Sequence, residues 1–276
     1  MAETKYDCIV IGSGPGGYVA AIRAAQLGMK TAVVEKADTV GGRCLNEACI
    51  PAKAVLRVAD AMKEIQGAKS FGITAGDVEF DFGGATKHRD KVIKTLTGGV
   101  AMLFKKNGID VIEGHGAVTD DGNVKVGGSF DGSEIEAGKV VLATGSIARP
   151  VGGLEFGGRI VDTAKMWLTA DQPKRLAVIG AGASGTEVAS AFGRLGTDVI
   201  LLEALDQILP LEEKEIAKAA AKEIGKQNVK IVTGANVENV DDSGDSVKID
   251  VGGETHEVDL VCIAAGRGAD VEGLGL

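Results

Sequence analysis

The residues with most chemistry to offer lie in one short stretch, Gly41 to Lys53. Cys44 and Cys49 have four residues between them, the pair Gly41-Gly42 stands before them, and Lys53 follows four residues after the second cysteine. Sulfurs at this spacing reach bonding distance if the chain coils, because a disulfide needs Cα atoms within about 7 Å. Ile50-Pro51 and the spacing of Ala54, Val55, Val58, Ala59 and Met62 read as a helix that starts here. Backbone dipoles at a helix N-terminus favour a thiolate and lower the thiol pKa. The chemistry suggested is reversible thiol–disulfide exchange. A structural disulfide belongs to secreted chains, and nothing in the sequence suggests secretion. A metal pair calls for a second Cys or His pair at ligand spacing, which the sequence lacks. Two inert buried thiols are the plain reading of an isolated pair, so on the cysteines alone the alternatives stay open.

The element upstream is more explicit. Cys8-Ile9-Val10-Ile11 reads as an apolar strand, Gly12-Ser13-Gly14-Pro15-Gly16-Gly17 as a turn, and Tyr18 to Leu27 as a helix ended by Gly28. Thr31 to Val34 is a second strand, closed by Glu35. A Gly-x-Gly-x-x-Gly run that follows a strand, opens a helix and has an acid some twenty residues later marks a dinucleotide site. Gly12 permits the tight turn, Gly14 lets a pyrophosphate approach the backbone, and Gly17 lets helix and strand pack. The helix N-terminus receives the phosphates, and Glu35 accepts from ribose hydroxyls.

The pattern then repeats. Leu176 to Ile179 is a strand, Gly180-Ala181-Gly182-Ala183-Ser184-Gly185 a turn, and a helix runs to Gly196 before a strand that ends at Glu203. Each landmark lies 168 positions after its counterpart, 180 after 12 and 203 after 35 among them. Repetition in register indicates two copies of one fold. The expected fold class is therefore α/β, with two Rossmann-like domains and small antiparallel meanders around 118–137 and 237–258. Residues 149–153, Arg-Pro-Val-Gly-Gly, read as the linker between a domain of residues 1–150 and one of 151–276. Glu203 is followed by Ala204-Leu205-Asp206-Gln207, with no Arg or Lys beside it. A carboxylate there accepts from ribose and repels a 2′-phosphate, which favours NAD over NADP.

Composition excludes several classes. The net charge of −9 argues against a nucleic-acid surface, and no apolar run reaches membrane-span length. The N-terminus reads as passing directly into a strand without a signal peptide, so a reducing cytoplasm is expected, with Cys8 and Cys262 as inert core thiols. Residues 82–107 read as an amphipathic helix with a solvated basic face, and 211–226 as another charged helix.

Two dinucleotide folds with a Cys-x4-Cys pair after the first resemble the pyridine nucleotide–disulfide oxidoreductases, from Asp7 to the last residue. Cys44-Leu45-Asn46 and Cys49-Ile50-Pro51-Ala52-Lys53 fit its dihydrolipoamide-oxidising branch, while Arg43, Glu47 and Ala48 depart from the commonest pattern there and bear on substrate detail. The resemblance implies FAD in the first copy and NAD in the second. For FAD it implies Gly12, Ser13, Gly14, Pro15, Gly16, Glu35, Lys36, Gly42, Arg43, Cys44 and Lys53. Gly116-Ala117 would lie on the adenosine side and Thr144-Gly145-Ser146 at the domain exit. For NAD it implies Gly180, Gly182, Ala183, Ser184, Gly185, Thr186, Glu187, Glu203, Val237 and Gly266. It also implies a redox disulfide in which a dithiol attacks Cys44, Cys49 passes electrons to the flavin, and Lys53 pairs with Glu187. The implied partners are dihydrolipoamide or the lipoyl domains of 2-oxoacid dehydrogenase complexes, and a second copy in a homodimer. Mercuric or another disulfide reductase, and a non-catalytic FAD/NAD-binding fragment, are the alternatives. Family members are longer and carry a His–Glu base in a C-terminal dimerisation domain. His88, His115 and His256 match no such motif, so the chain reads as the flavin-plus-NAD portion.

Overall fold

The computed structural model describes residues 5–127 and 134–276, so Met1 to Thr4 of the expected N-terminal strand entry lie outside the described residues. The chain packs as two compact units. One holds Met1–Ile50, Asp90–Ile147 and Gly268–Leu276, the other Pro51–Arg89 and Ala148–Arg267.

The first unit opens with β1 (Lys5–Ile11), α1 (Pro15–Gln26) and β2 (Thr31–Glu35). Then come α2 (Gly42–Asn46), the first residues of α3 (Cys49–Gly67) and, after residue 89, most of α4 (Phe82–Lys106). β3 (Asp110–Glu113), β4 (His115–Val118), β5 (Val124–Gly127), β6 (Glu134–Leu142) and the short β7 (Ser146–Ala148) complete it. Six strands make one sheet in the order β3-β2-β1-β6-β5-β4. The four from β3 to β6 run parallel, and β5 runs antiparallel to β4 and β6. Strands buried on both faces carry continuous apolar residues rather than alternation. In β1, Cys8 and Val10 pack with Val33, Val100 and Phe104, while Ile9 and Ile11 pack with Val34, Val124 and Ile135.

The sequence reads 134–137 and 140–146 as separate strands. One strand serves both roles: β6 pairs Ile135 with Val124 in the meander and Glu136 through Leu142 with β1. Gly138 makes this possible, because a Cβ there would stand 2.8 Å from the Asp7 carbonyl oxygen.

In the second unit β8 (Ile160–Asp162) leads to α5 (Thr163–Trp167), capped by the Asp162 carboxylate accepting from Lys165 N–H at 2.9 Å. β9 (Arg175–Ile179), α6 (Ala183–Arg194) and β10 (Asp198–Glu203) follow, then α7 (Lys214–Ile224) and β11 (Val229–Thr233). The meander β12 (Val237–Asp241), β13 (Val247–Val251) and β14 (Glu254–Val258) precedes β15 (Leu260–Ile263), and the chain returns to the first unit within the short β16 (Arg267–Ala269). The main sheet is parallel, ordered β11-β10-β9-β15-β8, and the meander forms its own three-stranded sheet. The expected antiparallel meander around 237–258 is present, and Arg159 clasps its first hairpin through Asp242 and the Asp245 carbonyl. The core on one face joins Ala52, Val55 and Ala59 of α3 to Val188 and Phe192 of α6. Trp167 is 3% exposed in that core, its ring 6.2 Å from Phe192, and its carbonyl accepts from Arg89 at 2.9 Å. Among the described residues no helix is long and apolar enough to cross a membrane.

Candidate functional site

The two glycine turns match atom for atom. Gly12 and Gly180 hold φ of +98° and +99°, a left-handed conformation that glycine adopts without penalty. A Cβ on Gly17 would meet the Gly12 carbonyl oxygen at 1.8 Å, and one on Gly185 the Gly180 oxygen at 1.9 Å. First and third glycines are therefore demanded by the protein's own packing. The middle ones are not: a Cβ on Gly182 meets nothing within 4 Å, and one on Gly14 only Gly42 Cα at 4.0 Å. Both middle glycines are helix N-caps with extended backbone, and no side chain caps the first-turn amides of α6 or of α1, which begin at Gly16 because Pro15 has no N–H.

The acids repeat too. Glu35 Oε2 accepts from Ser13 N–H at 2.9 Å and Oε1 from Ala37 N–H at 2.9 Å. Glu203 Oε2 accepts from Ala181 N–H at 2.7 Å and Oε1 from Leu205 N–H at 3.0 Å. Both side chains are buried, at 7% and 8% exposure, beside their turns. The repeat extends beyond its sequence landmarks. Gly41 N–H reaches the Ser13 carbonyl at 3.2 Å and Leu209 N–H the Ala181 carbonyl at 2.7 Å. Leu209 even keeps a left-handed φ of 48° where Gly41 has 106°. Sequence reading missed this pair because a leucine stands where a glycine would have signalled the turn.

Cys44 sits on α2 and Cys49 opens α3, and the structure holds both as thiols. The two thiols lie close enough for Cys49 to act on the titration of Cys44. Burial first, then the Cys49 thiol, pushes Cys44 up to about 11, with the Cys49 amide pulling the other way. Cys44 lies within α2, away from the helix end that Cys49 opens, and desolvation of its charged form dominates. Asn46, which sequence reasoning passed over, fixes α2: its amide donates to the Gly42 carbonyl at 2.9 Å, and its oxygen accepts from Thr39 at 2.8 Å. Gly42 packs so closely that a Cβ would stand 2.4 Å from Gly14 Cα. Arg43 faces Glu47 at 3.9 Å one helical turn on, and Lys36 pairs with Asp270 at 2.6 Å. Pro15 and Gly16 are exposed at the start of α1. Gly116 lies against Ile11 and Val34, where a Cβ would be 3.1–3.2 Å from their methyl groups, with Ala117 beside it on β4. Thr144 and Gly145 form the turn between β6 and Ser146, Gly145 at a φ of 79°.

In the second unit a cleft of about 670 Å³ collects Gly180, Gly182, Ala183, Ser184, Glu203, Val237 and Gly266, together with Asn236 and Arg267. Sequence reading missed the last two. Gly185, Thr186 and Glu187 lie outside it: Gly185 is buried under the turn, and Thr186 gives its hydroxyl to the Gly182 carbonyl at 2.8 Å. Thr186 and Glu187 instead line a second cleft of about 560 Å³ with Lys53, Arg57 and Asp60. The expected Lys53–Glu187 ion pair is present, Nζ to Oε1 at 2.5 Å.

The family description "pyridine nucleotide-disulphide oxidoreductase" matches residues 6–276. The chain belongs to that family. It is 38% identical over 272 residues to the dihydrolipoyl dehydrogenase of Chlamydia pneumoniae, covering 99% of this chain and 59% of the relative. The match to the dihydrolipoyl dehydrogenase of Acholeplasma laidlawii is 38% over 276 residues, with 81% of that relative covered. Among solved structures, LpdA of Mycobacterium tuberculosis aligns with a TM-score of 0.87 at 26% identity, over 97% of this chain and 60% of that one. A HOCl-induced flavoprotein disulfide reductase of Escherichia coli, as a Cu(II) complex, aligns at 0.86 and 26%, over 99% and 59%. The chain thus spans under two thirds of most of these relatives. The fold is the FAD/NAD-binding Rossmann-like fold of this family.

Pyridine nucleotide–disulphide oxidoreductases use FAD and NAD(P). The residues present fit such groups. The open space at Gly14 and Gly182 suits a pyrophosphate on helix amides, since a side chain there would meet a ligand rather than protein. Each turn has a buried acid beside it, and the cleft at the second turn is within the size range of ligand sites.

Proposed function

We propose that this chain is the flavin-and-nucleotide portion of a dihydrolipoamide dehydrogenase-type enzyme, with FAD held in residues 1–150 and NAD in 151–276. The observation that carries it is a pair of neighbouring thiols, Cys44 on α2 and Cys49 opening α3, with α2 packed through Gly42 against the first of two matching nucleotide turns. Gly14 and the first amides of α1 would hold the FAD pyrophosphate and Glu35 its ribose. Gly182, Ala183 and Ser184 would do the same for NAD, with Glu203 accepting from the ribose and repelling a 2′-phosphate.

In the oxidised protein the substrate thiolate attacks Sγ of Cys44. The Cys44–Cys49 bond breaks, a substrate–Cys44 bond forms, and Cys49 leaves as a thiolate. The second substrate thiol then displaces Cys44, which takes up a proton. The substrate becomes a disulfide and the pair a thiol at Cys44 and a thiolate at Cys49, a transfer of two electrons. Bound FAD supplies the route by which those electrons pass on to NAD. Lys53, one turn after Cys49 on α3, keeps a positive charge near that cysteine, and Glu187 fixes its ammonium.

Two measurements test the reading. Protein mixed with FAD and desalted should keep flavin absorbance. Differential alkylation before and after reduction should move only Cys44 and Cys49, leaving Cys8 and Cys262 as thiols throughout. Complete alkylation of Cys44 and Cys49 in air-oxidised native protein would defeat the redox assignment.

A further inference from the structure

The two nucleotide turns share their backbone and carboxylate bonds but differ in the side chain that follows the first glycine. Ser13 has Ala181 as its counterpart. The Ser13 hydroxyl donates to Glu35 Oε2 at 2.5 Å and accepts from Gly41 N–H at 3.0 Å. Ser13 is fully buried, so neither bond competes with water. A hydroxyl has one proton to give, and here Glu35 takes it. Gly41 is the N-cap of α2, which carries Cys44, and Gly42 rests on the backbone of Gly14. Carboxylate, phosphate-facing turn and cysteine helix are therefore one hydrogen-bonded piece at the first copy. At the second copy Leu209 N–H has only the Ala181 carbonyl, and Pro210 follows in place of a cysteine helix.

We infer that Ser13 is a positioning residue rather than a ligand contact: its hydroxyl couples the ribose-receiving carboxylate of Glu35 to the turn that sets Cys44. The inference rests on reading the first copy as the FAD site. Removing the hydroxyl takes a charge-assisted bond from Glu35 and one of two acceptors from Gly41. Glu35 keeps the Ser13 and Ala37 amides but loses its third donor, and α2 loosens at its Gly41 end.

Ser13→Ala tests this, and the second copy shows that such a turn folds with alanine. Three quantities are measured on the 276-residue protein: FAD affinity by flavin fluorescence, NAD affinity by calorimetry, and the alkylation rate of Cys44 relative to Cys49 in reduced, flavin-free protein. FAD binding should weaken roughly tenfold, the loss expected for one hydrogen bond to a charged group. The Cys44-to-Cys49 ratio should rise, while NAD affinity and the melting temperature stay put. A purely local packing defect would not shift that ratio selectively. Wild-type FAD affinity in the variant overturns the inference, and so does an unchanged ratio. Ala181→Ser must leave the ratio alone; an equal rise there would mean nonspecific loosening and would also overturn it. Should wild-type protein bind no FAD, the FAD reading falls, and the thiol ratio alone decides the coupling.

Discussion

Cys44 is a protonated thiol at neutral pH, because burial and the Cys49 sulfur hold it near 11. The thiolate is the reacting form, so a raised pKa means less nucleophile at every pH below it. Alkylation of Cys44 in reduced protein should climb about tenfold per pH unit and level off only near pH 11. A plateau below about pH 9, followed by mass spectrometry of the Cys44 peptide, would show that the thiol is not held in this way. Glu203 gives a second prediction. Its two oxygens are aimed by the Ala181 and Leu205 amides, so Glu203→Ala removes both a ribose acceptor and a repulsive charge. NAD affinity should fall roughly tenfold while NADP affinity holds or rises, as read by calorimetric titration of both. An unchanged NAD-to-NADP ratio would refute that role. At this scale the sequence was informative about which residues matter and poor on their state. Glu35 and Glu203 stand where spacing put them, and the Lys53–Glu187 pair is the one the resemblance implied. The raised pKa of the Cys44 thiol was not legible, because burial depends on packing that no local spacing encodes.

The glycine turns separate two uses of one residue type. Gly17→Ala and Gly185→Ala push a methyl to 1.8 Å and 1.9 Å from a carbonyl oxygen. Each should cost roughly 1–3 kcal/mol or more in urea denaturation, since backbone must move to make room. Gly182→Ala meets no protein atom, so stability should change by less than about 1 kcal/mol while NAD binding drops sharply. Stability lost without loss of binding would invert the assignment of middle and third glycines. Strands, turns and helices of the repeat were legible because their chemistry is local: apolar runs, glycines, a closing acid. The continuous β6 and the Gly41–Leu209 correspondence were not. The first depends on Asp7 lying across Gly138, the second on a leucine tolerating a left-handed backbone.

Across the whole chain the proposed chemistry divides into two parts with different requirements. Oxidation of NADH by an artificial dye needs only flavin and nucleotide. Dihydrolipoamide oxidation needs a thiolate at Cys44 as well, and burial and the Cys49 thiol both hold that sulfur protonated. A positioned base typically contributes about 10²–10⁴-fold. Dye reduction by FAD-loaded protein should therefore outpace dihydrolipoamide-dependent NAD reduction by a factor of that order. Comparable rates would mean that a base acts on Cys44, and His88, His115 and His256 would be mutated first. The two packing units explain why a linear boundary describes this chain poorly, since it leaves the first unit after Ile50, returns at Asp90 and returns again at Gly268.

Trp167 is the sole tryptophan and lies 3% exposed in the core of the second unit. Its emission is thus a private signal from half the molecule, blue-shifted and sheltered from soluble quenchers while that half is folded. Circular dichroism, which counts the backbone of both units, is a public one. If the two report the same midpoint on heating, the halves melt together; any gap between the curves measures how far each stands without the other.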